Sequence, residues 1–387
     1  MTGRTQALVR FLASESVGGV VLIACAVVSI SIANSAAGES WSALWQWQLG
    51  SLTFEHWVND GLMALFFLLV GLELEREIYD GELSELRSAV FPIAAAVGGA
   101  LVPAAIHFAL NGNTPSQPGA GIPIATDIAF ALATLSLLGR GVPLSLKVFL
   151  TAFAIMDDLI AVTVIGLAYS SDLSPVFMAA AAAVLGLLIL ASRMGIMALT
   201  PYVVGGLLLW LFTLKSGIHA TVSGVMLAFA MPYSDRGRGV ESPSRKMERL
   251  LHAPVGLLVL PVFALANTAI VANGAVAHLV SANSIGIAAG LIVGKPVGIM
   301  LGCLIATRLG SRKPATLSWA HVFGVGLLGG IGFTMSIFIA NLAFPAAPEA
   351  INAAKLAIVV GSVVSAAAGL AWLSIVAEAG RRPPRRS

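Results

Sequence analysis

The chain of 387 residues is 58% hydrophobic and only 11% charged, with a mean hydropathy of +0.92 and a formal net charge of +3. Such a composition excludes a water-soluble globular core and describes a polytopic helical membrane protein, and so small a positive charge makes no case for a nucleic-acid partner. The forty glycines suit close packing of membrane helices, while Cys25 and Cys303 lie in apolar runs as small packing residues rather than as a disulfide or metal pair.

In chain order, residues 1–15 with Arg4 and Arg10 read as a short amphipathic leading segment, followed by a retained first span from about Val17 to Asn34. Residues 35–57 hold Trp41, Trp45, Trp47 and Trp57 and predict an interfacial loop, either an aromatic belt or a β-hairpin of Trp45–Leu49 against Leu52–His56. Span two runs from Asn59 to Ile78 and ends in Glu73, Glu75, Arg76 and Glu77. Spans three to five are Ala89–Leu110, Ile122–Leu138 and Leu144–Tyr169, the first of them closed by turn residues from Asn111 to Pro118. Spans six to nine fall at Pro175–Ser192, Met197–Leu214, Ile218–Met231 and Leu250–Val271, with a cytoplasmic loop over 232–249 before the last of them. Spans ten to twelve are Ser284–Thr307, Ala320–Leu342 and Ile351–Val376, so residues 1–387 form one transmembrane domain of twelve helices.

The positive-inside rule sets the orientation. With the N-terminus inside, Lys215 and Lys355 fall outside, Lys295 lies in the membrane, and the rest of the 22 Lys and Arg are cytoplasmic. Both termini are then cytoplasmic, which requires an even number of spans. The basic cluster from Arg236 to Arg249 reads as a topology anchor facing anionic lipid headgroups.

Three features stand out at membrane depth. Asp157 and Asp158 sit near the middle of span five, where a carboxylate costs roughly 2.5–3.5 kcal/mol, and neighbours on a helix point about 100° apart. One acid therefore faces a cavity and the other a partner on an adjacent helix; the plain alternative is that both are structural. Span four carries Pro123 and then Thr126 and Asp127, and span eleven carries Gly324, Gly326, Gly329, Gly330 and Gly332, so both read as interrupted helices. They are the middle members of two three-span units, three to five and ten to twelve, that repeat with inverted topology. For span eleven alone, tight packing would explain the glycines equally well. Broken helices leave partial charges at mid-membrane, which Asp127 on one side and Lys295 on the other are placed to balance; Lys295 could instead pair with an aspartate.

Six strings, NDGLMALFFLLVGLELEREI from Asn59, IPIATDIAFAL from Ile122, FAIMDDLIAV from Phe153, LKSGIHATVSGV from Leu214, GKPVGI from Gly294 and GGIGFTMSIFIA from Gly329, occur in order, and together the chain resembles the NhaA family of bacterial sodium–proton antiporters. The resemblance spans roughly residues 10–376. It implies an inner-membrane transporter with crossing interrupted spans four and eleven, exchanging Na+ and Li+ for H+ at about two protons per sodium. It also implies roles: Asp158 as main sodium ligand and proton carrier, Asp157 beside it, Thr126 and Asp127 at the crossing, and Lys295 as the paired cation. Asp60 matches another acid of the family's pattern; Glu73, Glu77, Arg245, Glu248 and His252 fall in its cytoplasmic pH-responsive cluster, and His219 where it has a histidine. The cluster's other reading is of ordinary solvated charges. Arg249 stands where the family's pattern has a histidine, and the 35–57 loop is where a homodimer contact would form.

The chemistry is consistent with that resemblance on its own terms. Sodium wants oxygen ligands, which carboxylates, a threonine hydroxyl and freed backbone carbonyls supply. A carboxylate in a low-dielectric pocket holds a proton or a cation but not easily both. No cofactor is called for, since no phosphate-cradling glycine motif is present. Two other classes use similar residues: a passive sodium channel, and an intramembrane aspartyl protease with Asp127 and Asp157 as its dyad, although the Gly-x-Gly-Asp signature is missing.

Overall fold

Long apolar runs with no partner for their backbone but themselves become helices, and the computed structural model is built of them. It describes residues 15–81, 83–139, 142–170, 172–234, 241–271 and 279–381; the leading segment up to residue 14, with Arg4 and Arg10, and the arginines at 236 and 238 fall outside these. The helices are α1 (Glu15–Ala33), α2 (Gly38–Trp45), α3 (Phe54–Asp80), α4 (Leu86–Asn111), α5 (Ile128–Ser136), α6 (Leu144–Ala168) and α7 (Pro175–Arg193). After them come α8 (Thr200–Ser216), α9 (Val222–Ala230), α10 (Pro243–Asn267), α11 (Ala282–Arg308), α12 (Trp319–Gly329), α13 (Phe333–Ala343) and α14 (Pro348–Arg381). A 3-10 stretch, Gln117–Ile124, precedes α5.

Among the described residues, eight helical stretches are long and apolar enough to cross a membrane, and two bent pairs, α1 with α2 at 120° and α12 with α13 at 46°, raise this to ten. The segments expected as spans seven and eight are α8 and α9, of 17 and 9 residues, which are helical but short. The molecule is thus an all-α polytopic membrane protein.

Several boundaries move for local reasons. The hairpin shrinks to Gln48–Leu49 against Leu52–Thr53, with Gly50 at φ 72°, the conformation a two-residue turn demands of its first residue. Trp45 closes α2 instead of opening a strand, and Thr53 caps the start of α3 by accepting from His56 N. Part of the cytoplasmic loop is helix: the Ser242 hydroxyl accepts from Arg245 N and Pro243 fills the first helical position, so α10 begins before residue 250.

The chain divides into two compact units. Of the described residues, one comprises those within Val21–Gly81 and Ala161–Ile270, the other those within Glu15–Val20, 83–160 and 271–381. In the first, α3 packs on α9 through glycine: a Cβ on Gly224 would run into the Ala64 carbonyl, and one on Gly71 would lie 2.6 Å from the Ala228 methyl. In the second, α4 and α11 touch backbone to backbone, with Gly98 and Gly298 each lying where any Cβ would strike the other's carbonyl. Phe91, Phe149, Phe153, Ile299 and Cys303 fill the core beside this contact.

Candidate functional site

The second unit contains two helix breaks that cross. After the 3-10 stretch the chain is extended over residues 125–127 before α5 starts, and between α12 and α13 the helix opens at residues 330–332. Each break supplies partners for the other. Asp127 N donates to Ile331 O at 2.6 Å, Thr126 Oγ1 to Gly329 O at 2.7 Å and Ser336 Oγ to Ile122 O at 2.7 Å. No side chain fits at Gly332, where a Cβ would overlap Ser336 Oγ and lie 3.0 Å from Ala125 O.

Asp127 serves two helix N-termini at once. Its Oδ1 accepts from Phe130 N of α5 at 2.9 Å, and its Oδ2 accepts from Thr334 N at 3.2 Å and Thr334 Oγ1 at 2.6 Å on α13. Both starts carry partial positive charge and unsatisfied N–H groups, so one carboxylate answers both. Asp127 is 2% exposed and Thr334 1%.

Beside the crossing, α6 brings Asp157 and Asp158, both fully buried. Lys295, also fully buried, places Nζ 2.6 Å from Asp157 Oδ2 and 5.6 Å from the centre of the Phe153 ring. Its position follows from the helix: Gly290–Gly294 form a π-turn just before it and Pro296 follows, so the normal hydrogen-bond ladder is interrupted where the lysine leaves it. Lys295 also feels the charge of Asp158, and Thr126 adjoins Asp157. Asp127, Asp157, Asp158, Thr126 and Lys295 thus gather in one unit. The aspartyl-protease geometry is not what they make: both Asp127 oxygens are taken by helix starts and Asp157 is held by a lysine.

The remaining candidates lie in the first unit, in two places. Asp60, inside the π-turn Trp57–Leu62, has Oδ1 3.4 Å from His219 Nε2, and the His219 Nδ1 contacts Thr221 Oγ1 at 3.0 Å. At the other end of α3, an open cleft of about 600 Å³ is lined by Arg76, Asp80, Tyr233, Arg245, Glu248, Arg249, His252 and Ala253. There Arg76 pairs with Glu248, Arg245 with Asp80 at 2.7 Å, and Arg249 with Glu241 at 2.6 Å. Burial, reinforced by the Asp80 carboxylate that it donates to, pushes the Tyr233 hydroxyl up to about 12, so it remains a neutral donor. Glu77 reaches Arg76 at 3.7 Å, and Glu73 lies one turn earlier on α3, outside the cleft lining.

Thr334, Ser336 and Ser362 are not singled out by the sequence as site residues. The first two follow the glycine run directly and carried a usable signal, a hydroxyl at a helix start. Ser362 had none, since it lies in the middle of an apolar span, yet its Oγ accepts from Phe333 N at 3.1 Å. The buried Glu75, which accepts from Ser244 Oγ, is in the sequence only one of several charges at the end of span two.

Comparison with known proteins bears on what such a site does. A family model described as Na+/H+ antiporter 1 matches residues 9–373. A protein of Dechloromonas aromatica named Na(+)/H(+) antiporter NhaA is 53% identical over 94% of this chain and 95% of its own. Proteins of the same name from Cytophaga hutchinsonii and Vibrio cholerae are 51% and 46% identical, over 96% and 94% of this chain and 96% of each of theirs.

Proposed function

Because the chain belongs to the Na+/H+ antiporter 1 family, we propose that it is an electrogenic secondary exchanger of the bacterial inner membrane, both termini cytoplasmic, extruding Na+ and Li+ against about two protons. The observation that carries this reading is the buried ion pair of Lys295 with Asp157 beside a second acid, Asp158, at the crossing of two broken helices. Asp158, Asp157, Thr126 and nearby carbonyls are oxygen donors suited to a hard cation. Sodium and protons compete for the same carboxylates, and sodium arriving at Asp157 takes the anion away from Lys295. A lysine that then releases its proton adds a second proton to the one displaced from Asp158, so each cycle carries net charge.

A passive channel would take up sodium without any coupling to a pH gradient. The decisive assay is sodium-driven proton movement in proteoliposomes. Asp158→Asn keeps the shape and removes the titratable charge, and should abolish exchange without loss of folded protein; any sodium-driven proton movement by that variant would overturn the assignment. The cleft formed by Arg245, Glu248 and His252 is assigned the pH response. Replacing Glu248 and His252 together by glutamine should shift the pH profile at similar maximal turnover, and an unmoved profile would make them ordinary surface charges. The hairpin at residues 48–53 is the proposed site of homodimer contact.

A further inference from the structure

A helix that starts inside a protein at membrane depth must find partners for its first N–H groups, because hydrocarbon supplies none. The start of α13 is such a place, and two side chains share the task. Thr334 N goes to the Asp127 carboxylate, and Phe333 N goes to Ser362 Oγ at 3.1 Å. Ser362 is 1% exposed and belongs to α14, a single 34-residue helix. We infer that Ser362 is a positioning residue of the ion site, which fixes the start of α13 and through it the geometry of Asp127 and Thr126. The inference rests on the exchange reading given above.

The coupling runs through short links. The first turn of α13 carries the Thr334 hydroxyl that holds Asp127 Oδ2, and the residues just before it carry the Gly329 and Ile331 carbonyls that hold the Thr126 hydroxyl and the Asp127 N–H. Without the serine hydroxyl, Phe333 N–H is left to the acceptor that already serves that turn, the Asp127 carboxylate. Both oxygens of that carboxylate are engaged, so a further claim on it draws it away from α5 and shifts Thr126, which adjoins Asp157. Asp127 and Ser362 thus hold one helix start at neighbouring N–H groups, one with charge and one without.

Ser365 provides the internal control. It lies one turn further along α14, is equally buried, and its Oγ makes no hydrogen bond among the described residues. Loss of a hydroxyl there removes volume but no cap.

The test is a sodium titration of proton release from proteoliposomes at several pH values. Ser362→Ala should raise the apparent KM for sodium about fivefold at a similar maximal rate, the scale of one buried hydrogen bond. At fixed sodium its activity should move to higher pH, because protons compete better when sodium binds less tightly. Ser362→Thr, which keeps the hydroxyl, should restore the original KM, and Ser365→Ala should leave it unchanged. If Ser362→Ala does not fold, Ser362→Cys, nearly isosteric but a weaker acceptor, should show the same rise. An unchanged KM in the Ala or Cys variant, or an equal loss of maximal rate in the Ser362 and Ser365 variants without a KM change, would overturn the positioning role. Absence of sodium-driven proton movement from the unsubstituted protein would instead overturn the exchange reading itself.

Discussion

A lysine ammonium taken out of water is tolerated only beside a counter-charge, and Lys295 has one in Asp157 at 2.6 Å. Removing either partner strands the other. Asp157→Asn alone or Lys295→Ala alone should therefore destabilise the protein by about 3–5 kcal/mol, whereas the double variant should lose less, its remaining cost being the space the lysine leaves. Thermal unfolding of the purified protein in detergent distinguishes these cases; a double variant as unstable as the worse single would mean that the two do not act as a pair. At this scale the sequence was informative where charge broke an apolar run. Asp127, Asp157, Asp158 and Lys295 announce themselves by their depth, but which oxygen meets which nitrogen depends on helix rotation and crossing, which span boundaries do not specify. Ser362 was silent because a serine in an apolar span is equally at home bonded to its own helix.

Among the elements, the two breaks and the glycine contacts do the positioning. Prolines and glycines marked where spans four and eleven open, since both weaken a helix, although α4 runs unbroken through Pro92 and Pro103. The sequence did not tell that the opening before α5 would be preceded by a 3-10 stretch reaching back to Gln117, nor that the hairpin would pair only two residues on each side. Those depend on what the backbone finds to bond with in three dimensions. The α4–α11 contact offers a sharp test, because Gly298 lies against the Gly98 carbonyl and both are backbone. Gly298→Ala must push the helices apart, at a cost of about 1–3 kcal/mol, and α11 carries Lys295. Lower thermal stability together with a raised apparent KM for sodium is expected; a variant indistinguishable in both would mean that the helices do not need this close approach.

For the molecule as a whole, the proposed ion site lies within one compact unit, and the charged cleft and the Asp60–His219 pair lie within the other. The twelve segments expected as spans are all helical in the described residues, since each is an apolar run between turn residues, although α8 and α9 are shorter than a straight crossing would need. The proposed exchange ties the buried pair to charge movement across the membrane. If Lys295 and Asp158 each release a proton for one sodium ion, a membrane potential drives the cycle; if only Asp158 does, the exchange is one for one and neutral. Proteoliposomes holding the unsubstituted protein should exchange faster when the potential favours inward proton movement. The Asp157→Asn/Lys295→Ala double variant, which keeps Asp158, should retain slower exchange that no longer responds to potential, by simple competition of sodium and proton at one carboxylate. Its apparent KM for sodium should still rise as pH falls, since each proton bound removes the remaining anion. A double variant that responds to potential as strongly as the original would make Lys295 a structural cation and send the second proton by another route.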